Sequence, residues 1–173
     1  DNQTQPIAHW QPLVDGHLLI AGPLGSGRTA ALGAIACAAA QVGLVTTLAA
    51  DAHRAWDVVM TPPPSGLILL DNLDSILAAM SHEHRDAFIQ AVQALLREGS
   101  ARGIHVALAT LDHGAVFAQL QPLMRTRLEL RSVGFASWQG LATRVALDAA
   151  VRDACAPDVA CMWWAPSANY IVV

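Results

Sequence analysis

A glycine-rich segment, Gly22–Thr29, carries the residues best suited to chemistry. Its spacing is that of a phosphate-binding loop, with a glycine, four residues, a second glycine, a basic residue and a threonine. Glycines let backbone N–H groups curve around phosphate oxygens, and a following helix adds its dipole. The predicted phosphate contacts are Gly22, Gly25, Ser26, Gly27, Arg28 and Thr29. The Thr29 hydroxyl is also a predicted Mg²⁺ ligand. The alternative is a glycine-rich turn that binds nothing.

Arg28 occupies the basic position of this segment, where lysine is usual. An arginine side chain is longer and planar, and the two residues are not interchangeable. Its guanidinium still pairs with phosphate, but a misplaced charge at the transition state raises the reaction barrier by several kcal/mol. We therefore expect phosphate binding to survive better than hydrolysis.

Two further polar residues follow apolar runs. Asp71 comes directly after Leu67–Leu70, where a carboxylate holds Mg²⁺ through water; the alternative is a turn or helix-capping aspartate. Thr110 ends another run and is a predicted γ-phosphate contact; the alternative is a local hydrogen bond at a strand end. Asn72 follows Asp71 and cannot accept a proton. Asp74 could replace it as the acid, but we expect Asp74 to cap the next turn.

Alternating strands and helices must position these residues. Strands are predicted at residues 17–21, 44–48, 66–70, 104–109 and 127–130, and helices at 29–42, 86–98 and 115–120. This order predicts an α/β fold with a mainly parallel sheet and helices on both faces. Ligands of such sheets bind beyond the carboxyl ends of the strands. The whole chain, 1–173, is predicted to be one domain with a leader at 1–15. The region 134–173 combines helix signals at 141–154 with apolar ends.

Composition excludes several classes of protein. Of 173 residues, 54% are apolar and 14% charged, which argues against disorder and against an independent coiled coil. All ten basic residues are arginine and the net charge is −4, which argues against DNA binding by this domain alone. No apolar stretch reaches the length of a membrane span, so direct membrane insertion is not expected.

Three cysteines are too few for a disulfide framework, and their spacing does not suit zinc. Cys37 is predicted to lie in the core. This cysteine usage favours a reduced, cytoplasmic setting. The first residues include neither Met nor a positively charged signal region, so we expect the chain to begin inside a longer protein.

Three segments, 17–22 with the loop that follows, 103–110 and 126–130, resemble the FtsK/SpoIIIE family of P-loop motors. The histidine before the first strand and the Gly-Ile-His opening of the fourth are the most specific parts. The resemblance implies a RecA-like P-loop NTPase fold, with ATP and Mg²⁺ as cofactors. It makes Asp71 the Walker B acid and Thr110 the γ-phosphate sensor. Arg127 matches an arginine of the family.

The chain departs from this pattern at Arg28, at Asn72 and at residues 111–113. In these departures the chain resembles the degenerate ATPase modules near the C-terminal end of EccC-type proteins of type VII secretion. The resemblance implies an ATP-binding, weakly active or inactive module of a larger motor for protein secretion. Implied partners are other ATPase domains of the same or a neighbouring chain, with a secreted peptide as a further candidate. A membrane complex could tether the module through flanking segments.

Two alternatives of other classes stay open. One is a pseudo-ATPase interaction module that binds no nucleotide and docks a peptide or a neighbouring domain. The other is a DNA translocase motor domain, which the absence of lysine disfavours. A stand-alone small-molecule kinase is more distant, because neither a lid nor a second substrate motif is visible.

Overall fold

Five short strands form an all-parallel sheet in the computed structural model, which describes residues 10–130. The strands are β1 (Leu18–Ala21), β2 (Thr46–Ala49), β3 (Gly66–Leu70), β4 (Ile104–Thr110) and β5 (Thr126–Glu129). The helices are α1 (Pro12–Asp15), α2 (Arg28–Gln41), α3 (Ala52–Met60), α4 (Leu73–Ala78), α5 (His82–Glu98) and α6 (Ala115–Leu120). Two 3₁₀ turns, Gly99–Arg102 and Gln121–Leu123, follow α5 and α6.

The strand order is β2-β3-β4-β1-β5. The first strand therefore lies between β4 and β5, and Ile20 is opposite both Ala109 and Leu128. Every residue of β1, β3 and β4 is buried, as expected for a parallel sheet covered on both faces. The architecture is a mixed α/β fold with a parallel sheet flanked by helices, and it is compatible with a RecA-like fold.

Apolar side chains alternate between two cores along the strands. Leu19, Ile68 and Val106 face the larger core, which α3, α4 and α5 cover with residues such as Phe88. Leu18 and Ile20 face a smaller core beneath α2, together with other residues that include Ala31, Leu32, Ile35, Leu67 and Ala107. Helices therefore cover both faces of the sheet, and a functional site would lie at the ends of the strands.

The predicted strands lie within two residues of the observed ones, and α6 has the predicted bounds. The helix predicted from residue 86 begins earlier, at His82, because the hydroxyl of Ser81 caps it by accepting from the His84 N–H. Helices α1, α3 and α4 were not predicted. The predicted features of residues 134–173, with Cys155 and Cys161, lie outside the described residues.

The prediction that Cys37 lies in the core is wrong, since its side chain is exposed. Helix α2 is apolar almost all round, but only one stripe of it is buried against the sheet. Alanine is small enough to be tolerated on either face, so composition hides which side faces the core. Within residues 10–130, no helix combines the length and apolarity needed to cross a bilayer.

Candidate functional site: a glycine loop with a buried arginine

The glycine loop joins β1 to α2 at the carboxyl edge of the sheet. Gly25 and Gly27 have φ of +75° and +94°, a region that L-residues other than glycine rarely adopt. Gly22 is held by close neighbours: a Cβ there would lie 2.5 Å from the Leu130 carbonyl oxygen and 2.6 Å from Ser26 Oγ. Its N–H donates to the Thr110 carbonyl at 3.3 Å. The glycines are therefore required by the conformation of the loop.

Helix α2 starts without a side-chain cap, because its N-cap residue is Gly27. The Ala31 N–H makes the first backbone bond of the helix, to the Gly27 carbonyl at 2.9 Å. The N–H groups that precede it, including those of Arg28 and Thr29, are the ones that a helix start leaves without intrahelical partners. Such groups together with the helix dipole attract an anion.

Arg28 lies beneath this loop and is only 7% exposed. In the part of the chain that the structure describes, its Nη1 has no hydrogen-bond partner, and neither has the buried Oγ of Ser26. A carboxylate oxygen, Asp74 Oδ2, lies 3.7 Å from Arg28 Nη1, too far for a hydrogen bond. A buried guanidinium stays charged and requires an anionic partner. The loop therefore holds a fixed positive charge with unused hydrogen-bonding capacity.

Thr29 and Asp71 come together as the sequence predicts. The Thr29 hydroxyl donates to Asp71 Oδ1 at 3.2 Å, and Asp71 is 9% exposed. Asp71 does not cap α4, whose N-cap residue is Asn72. Hydroxyl and carboxylate oxygens are suitable Mg²⁺ ligands, with substrate phosphates usually completing the shell. Among residues 10–130, no group of three His, Cys, Asp or Glu side chains could hold a metal alone.

Asn72 and Asp74 behave differently from each other. Asn72 has a left-handed backbone, with φ of +54°, and its Nδ2 donates to Ser75 Oγ at 2.6 Å. The prediction that Asp74 caps the next turn is wrong. Asp74 Oδ2 accepts from Thr110 Oγ1 at 2.9 Å and from the Leu111 N–H at 2.7 Å. Asp74 thus links the first turn of α4 to the end of β4, and the Thr110 hydroxyl already donates within the protein.

The structure brings Arg28, Thr29, Asp71, Asp74 and Thr110 together at one edge of the sheet. Sequence reasoning assigned site roles to all of these except Asp74, which it placed in a cap. The signal for Asp74 was weak, because its partner Thr110 lies 36 residues away. Arg127 is also remote in sequence. It lies on the edge strand β5, where it pairs with Glu129 at 2.9 Å.

A second cluster, at the amino ends of the strands, joins the two histidines that carried much of the family resemblance. The His17 and His105 ring centroids are 6.2 Å apart, and both residues are buried. The Val106 N–H donates to His17 Nδ1 at 3.0 Å, so a neutral His17 carries its proton on Nε2, which lies 3.2 Å from Ser100 Oγ. Neither ring nitrogen of His105 has a hydrogen-bond partner among the described residues. This pair lies at the edge of the sheet opposite the loop.

The free energy of unfolding will fall as the pH drops below about 6.5. Burial lowers the pKa of His17, the charge of His105 lowers it further, and a hydrogen bond from the ring to the Leu96 backbone opposes them. Burial also lowers the pKa of His105. The unfolded chain therefore binds protons at a higher pH than the folded chain. The histidine contribution is complete above pH 6.5 and is lost as the pH falls through the lowered folded values.

Urea unfolding at several pH values between 7.5 and 5 measures this effect. His105→Leu should flatten the pH dependence, because it removes one of the two buried titrating rings. His53→Leu serves as the control, since the side chain of His53 is 90% exposed. Equal slopes for His105→Leu and the unchanged chain would contradict the assignment.

A shallow groove of about 240 Å³ lies between α3 and the turn joining α4 to α5. Its lining residues are Ala52, His53, Trp56, Ala79, Met80, Ser81 and His84. The Trp56 and His84 rings meet edge to face, with centroids 5.1 Å apart. None of the predicted site residues lines this groove. Phosphate binding at the loop would use backbone N–H groups at the surface and does not need a deep cavity.

No family model and no curated protein matches the chain. Among solved structures, it is similar to a chain of the E. coli MS115-1 HORMA:CdnC:Trip13 complex, with 20% identity, a TM-score of 0.47 and 74% of this chain covered. The match spans 53% of that chain, about half its length. It is also similar to APE1195, with 12% identity, a TM-score of 0.42 and coverage of 90% of this chain and 83% of the other. Likenesses this distant carry no argument about family or activity.

Proposed function

We propose that this domain binds ATP with Mg²⁺ at Gly22–Thr29 and hydrolyses it slowly or not at all. The observation that carries the proposal is the buried guanidinium of Arg28, whose Nη1 has no hydrogen-bond partner among residues 10–130. Within that range the Asp74 carboxylate is the closest, at 3.7 Å. A phosphate oxygen would supply the direct, charge-assisted bond that this group lacks. Ser26 Oγ and the free N–H groups at the start of α2 would complete the contact.

Mg²⁺ fits the pair formed by Thr29 and Asp71, whose oxygens already lie 3.2 Å apart. The ion would neutralise part of the phosphate charge and would bind with the nucleotide, since the described residues offer no complete protein site. Thr29 would provide its hydroxyl and Asp71 its carboxylate. Both residues are held by secondary structure, at the start of α2 and directly after β3.

Slow hydrolysis follows from the residues after Asp71. Asn72 is an amide and cannot take a proton from water, and its Nδ2 is engaged by Ser75. Asp74 already accepts two hydrogen bonds on one oxygen, from Thr110 and Leu111. Neither residue is arranged as a free general base, so the domain is suited to binding and sensing nucleotide.

The resemblance to the FtsK/SpoIIIE family motivates the wider proposal. In it, the domain is a degenerate module of a larger EccC-type motor and contacts other ATPase domains. A secreted peptide is the candidate substrate, and DNA is disfavoured by the net charge of −4. The module would work in the cytoplasm, tethered to a membrane complex through other segments.

The test is thermal unfolding with and without Mg·ATP. At a ligand concentration one hundred times Kd, binding adds about 2.7 kcal/mol of stability. For a domain of this size that corresponds to a rise of roughly 5–10 °C in Tm. Arg28→Ala should abolish the rise. Arg102→Ala is the matched control, because Arg102 is exposed and lies just before β4, at the opposite edge of the sheet.

Other outcomes identify the alternatives. An unchanged Tm at millimolar Mg·ATP would contradict nucleotide binding and favour the pseudo-ATPase interaction module, which the internal pairing of Arg28 with Asp74 also supports. Turnover near one per second would contradict the degenerate assignment, since that is an ordinary enzymatic rate. Hydrolysis stimulated by DNA would favour the translocase.

A further inference from the structure

We propose that the carboxylate of Asp74 is a built-in competitor of phosphate for Arg28. In this view Arg28 must exchange Asp74 for a phosphate oxygen when ligand binds, so Asp74 sets the affinity of the loop. The inference rests on the proposed function, because it concerns the same site. It assigns to Asp74 a regulatory role that the phosphate-loop pattern does not contain.

The geometry at Asp74 is that of a fixed anion. One oxygen, Oδ2, accepts from Thr110 Oγ1 at 2.9 Å and from the Leu111 N–H at 2.7 Å. The same oxygen lies 3.7 Å from Arg28 Nη1. The two short hydrogen bonds fix the carboxylate beside the guanidinium, so it faces Arg28 without losing further conformational freedom.

The attraction between Arg28 and Asp74 is strong enough to compete with phosphate and weak enough for a phosphate to replace it. The Arg28 side chain is 8% exposed and that of Asp74 is 25% exposed, so solvent screens the pair only in part. At 3.7 Å the two groups attract each other, but no hydrogen bond forms. A phosphate oxygen can therefore gain the direct bond that Asp74 does not make.

Asp74 also acts on an incoming phosphate through its own charge. A carboxylate and a phosphate are both ligands of guanidinium, and two anions beside one cation repel each other. Phosphate must overcome the existing attraction between Arg28 and Asp74 and also this repulsion. Because Thr110 and Leu111 hold Asp74 from β4, movement at the end of that strand would change how strongly the loop binds phosphate.

Asp74→Asn tests the proposal because it removes the charge and keeps an oxygen that can accept from Thr110 and Leu111. Binding of pyrophosphate and of Mg·ATP to the purified chain is measured by titration calorimetry. We expect Kd to decrease about fivefold in Asp74→Asn, an effect equivalent to about 1 kcal/mol. Unfolding midpoints without ligand establish that the variant is folded; if it is not, Asp74→Ser carries the same test.

Asp112→Asn is the matched control, since it removes one negative charge near the same loop. A hydrogen bond from His113 holds the pKa of Asp112 below its ordinary value, and the charge of Arg28 acts in the same direction from farther away. Asp112 is exposed, so its removal should change Kd less than twofold. Equal tightening by both variants would overturn a specific role for Asp74.

The outcomes separate the two proposals. Tighter binding in Asp74→Asn, without tighter binding in Asp112→Asn, supports the proposal that Asp74 competes with phosphate. If the unchanged chain binds and Asp74→Asn binds equally or more weakly, the competitor is overturned and nucleotide binding stands. If only Asp74→Asn binds, the competitor is supported and nucleotide binding by the unchanged chain is rejected. If neither binds either probe, both proposals fail.

Discussion

Replacing Phe88 with alanine will lower the free energy of unfolding by about 3–5 kcal/mol. Phe88 lies on α5, is completely buried and belongs to the larger core. Truncation removes the aromatic ring from its apolar surroundings and leaves a cavity that the close-packed sheet can fill only in part. The loss is comparable to much of the total stability of an ordinary domain.

Urea unfolding followed by circular dichroism measures this loss. Leu13→Ala is the control, because Leu13 is 84% exposed and its truncation should change the free energy by no more than about 0.5 kcal/mol. A loss below 1 kcal/mol in Phe88→Ala would mean that α5 does not pack on the sheet as described.

Replacing Gly66 with alanine will cost about 3 kcal/mol, for two reasons that act together. Gly66 has φ of +119°, where an L-residue is strained by roughly 1–3 kcal/mol. A Cβ at this position would also lie 2.6 Å from the Val45 carbonyl oxygen. That oxygen cannot easily move away, because it accepts from the Leu67 N–H at 2.8 Å. Relieving the clash would separate the edge strand β2 from β3.

Gly43→Ala separates the two causes. Gly43 also has positive φ, +71°, but apart from its chain neighbours no atom of the described residues lies within 4 Å of the position of its Cβ. It should cost only the backbone strain, about 1–2 kcal/mol. The measurement is the urea midpoint of both variants. Equal losses of stability in Gly43→Ala and Gly66→Ala would show that the Val45 carbonyl does not restrict the backbone at Gly66.

Much of the fold can be predicted from the sequence because β1 and β3 are continuous apolar runs, one ended by a glycine and the other by an aspartate. Residues 66–70 illustrate this, since β3 has the predicted bounds. Helix α3 was missed because its amphipathic pattern is short. Its start is marked by Asp51, whose side chain accepts from the Arg54 N–H. Helix α4 follows a left-handed Asn72, a start that composition does not indicate.

The candidate site also has a part that can be predicted from the sequence and a part that cannot. The glycine spacing of residues 22–29 and the position of Asp71 after a strand can be recognised locally, and the structure brings Thr29 and Asp71 into contact. The contacts of Asp74 could not be predicted, because they depend on how β3 and β4 align and on the length of the turn before α4. Helix capping involves only neighbouring residues, whereas Asp74 accepts a long-range hydrogen bond from Thr110.

The position of β1 in the sheet has a consequence for how the chain folds as it is made. Leu18 pairs with Ala107 and with Thr126, so the first strand has no sheet neighbour until much later parts of the chain exist. Synthesis proceeds at roughly 5–20 residues per second, so β1 and the glycine loop wait for several seconds before β4 emerges. Pairing between such distant segments is slow to form. The glycine loop therefore acquires its shape only after β4 and β5 have been made, although it precedes both of them in the chain.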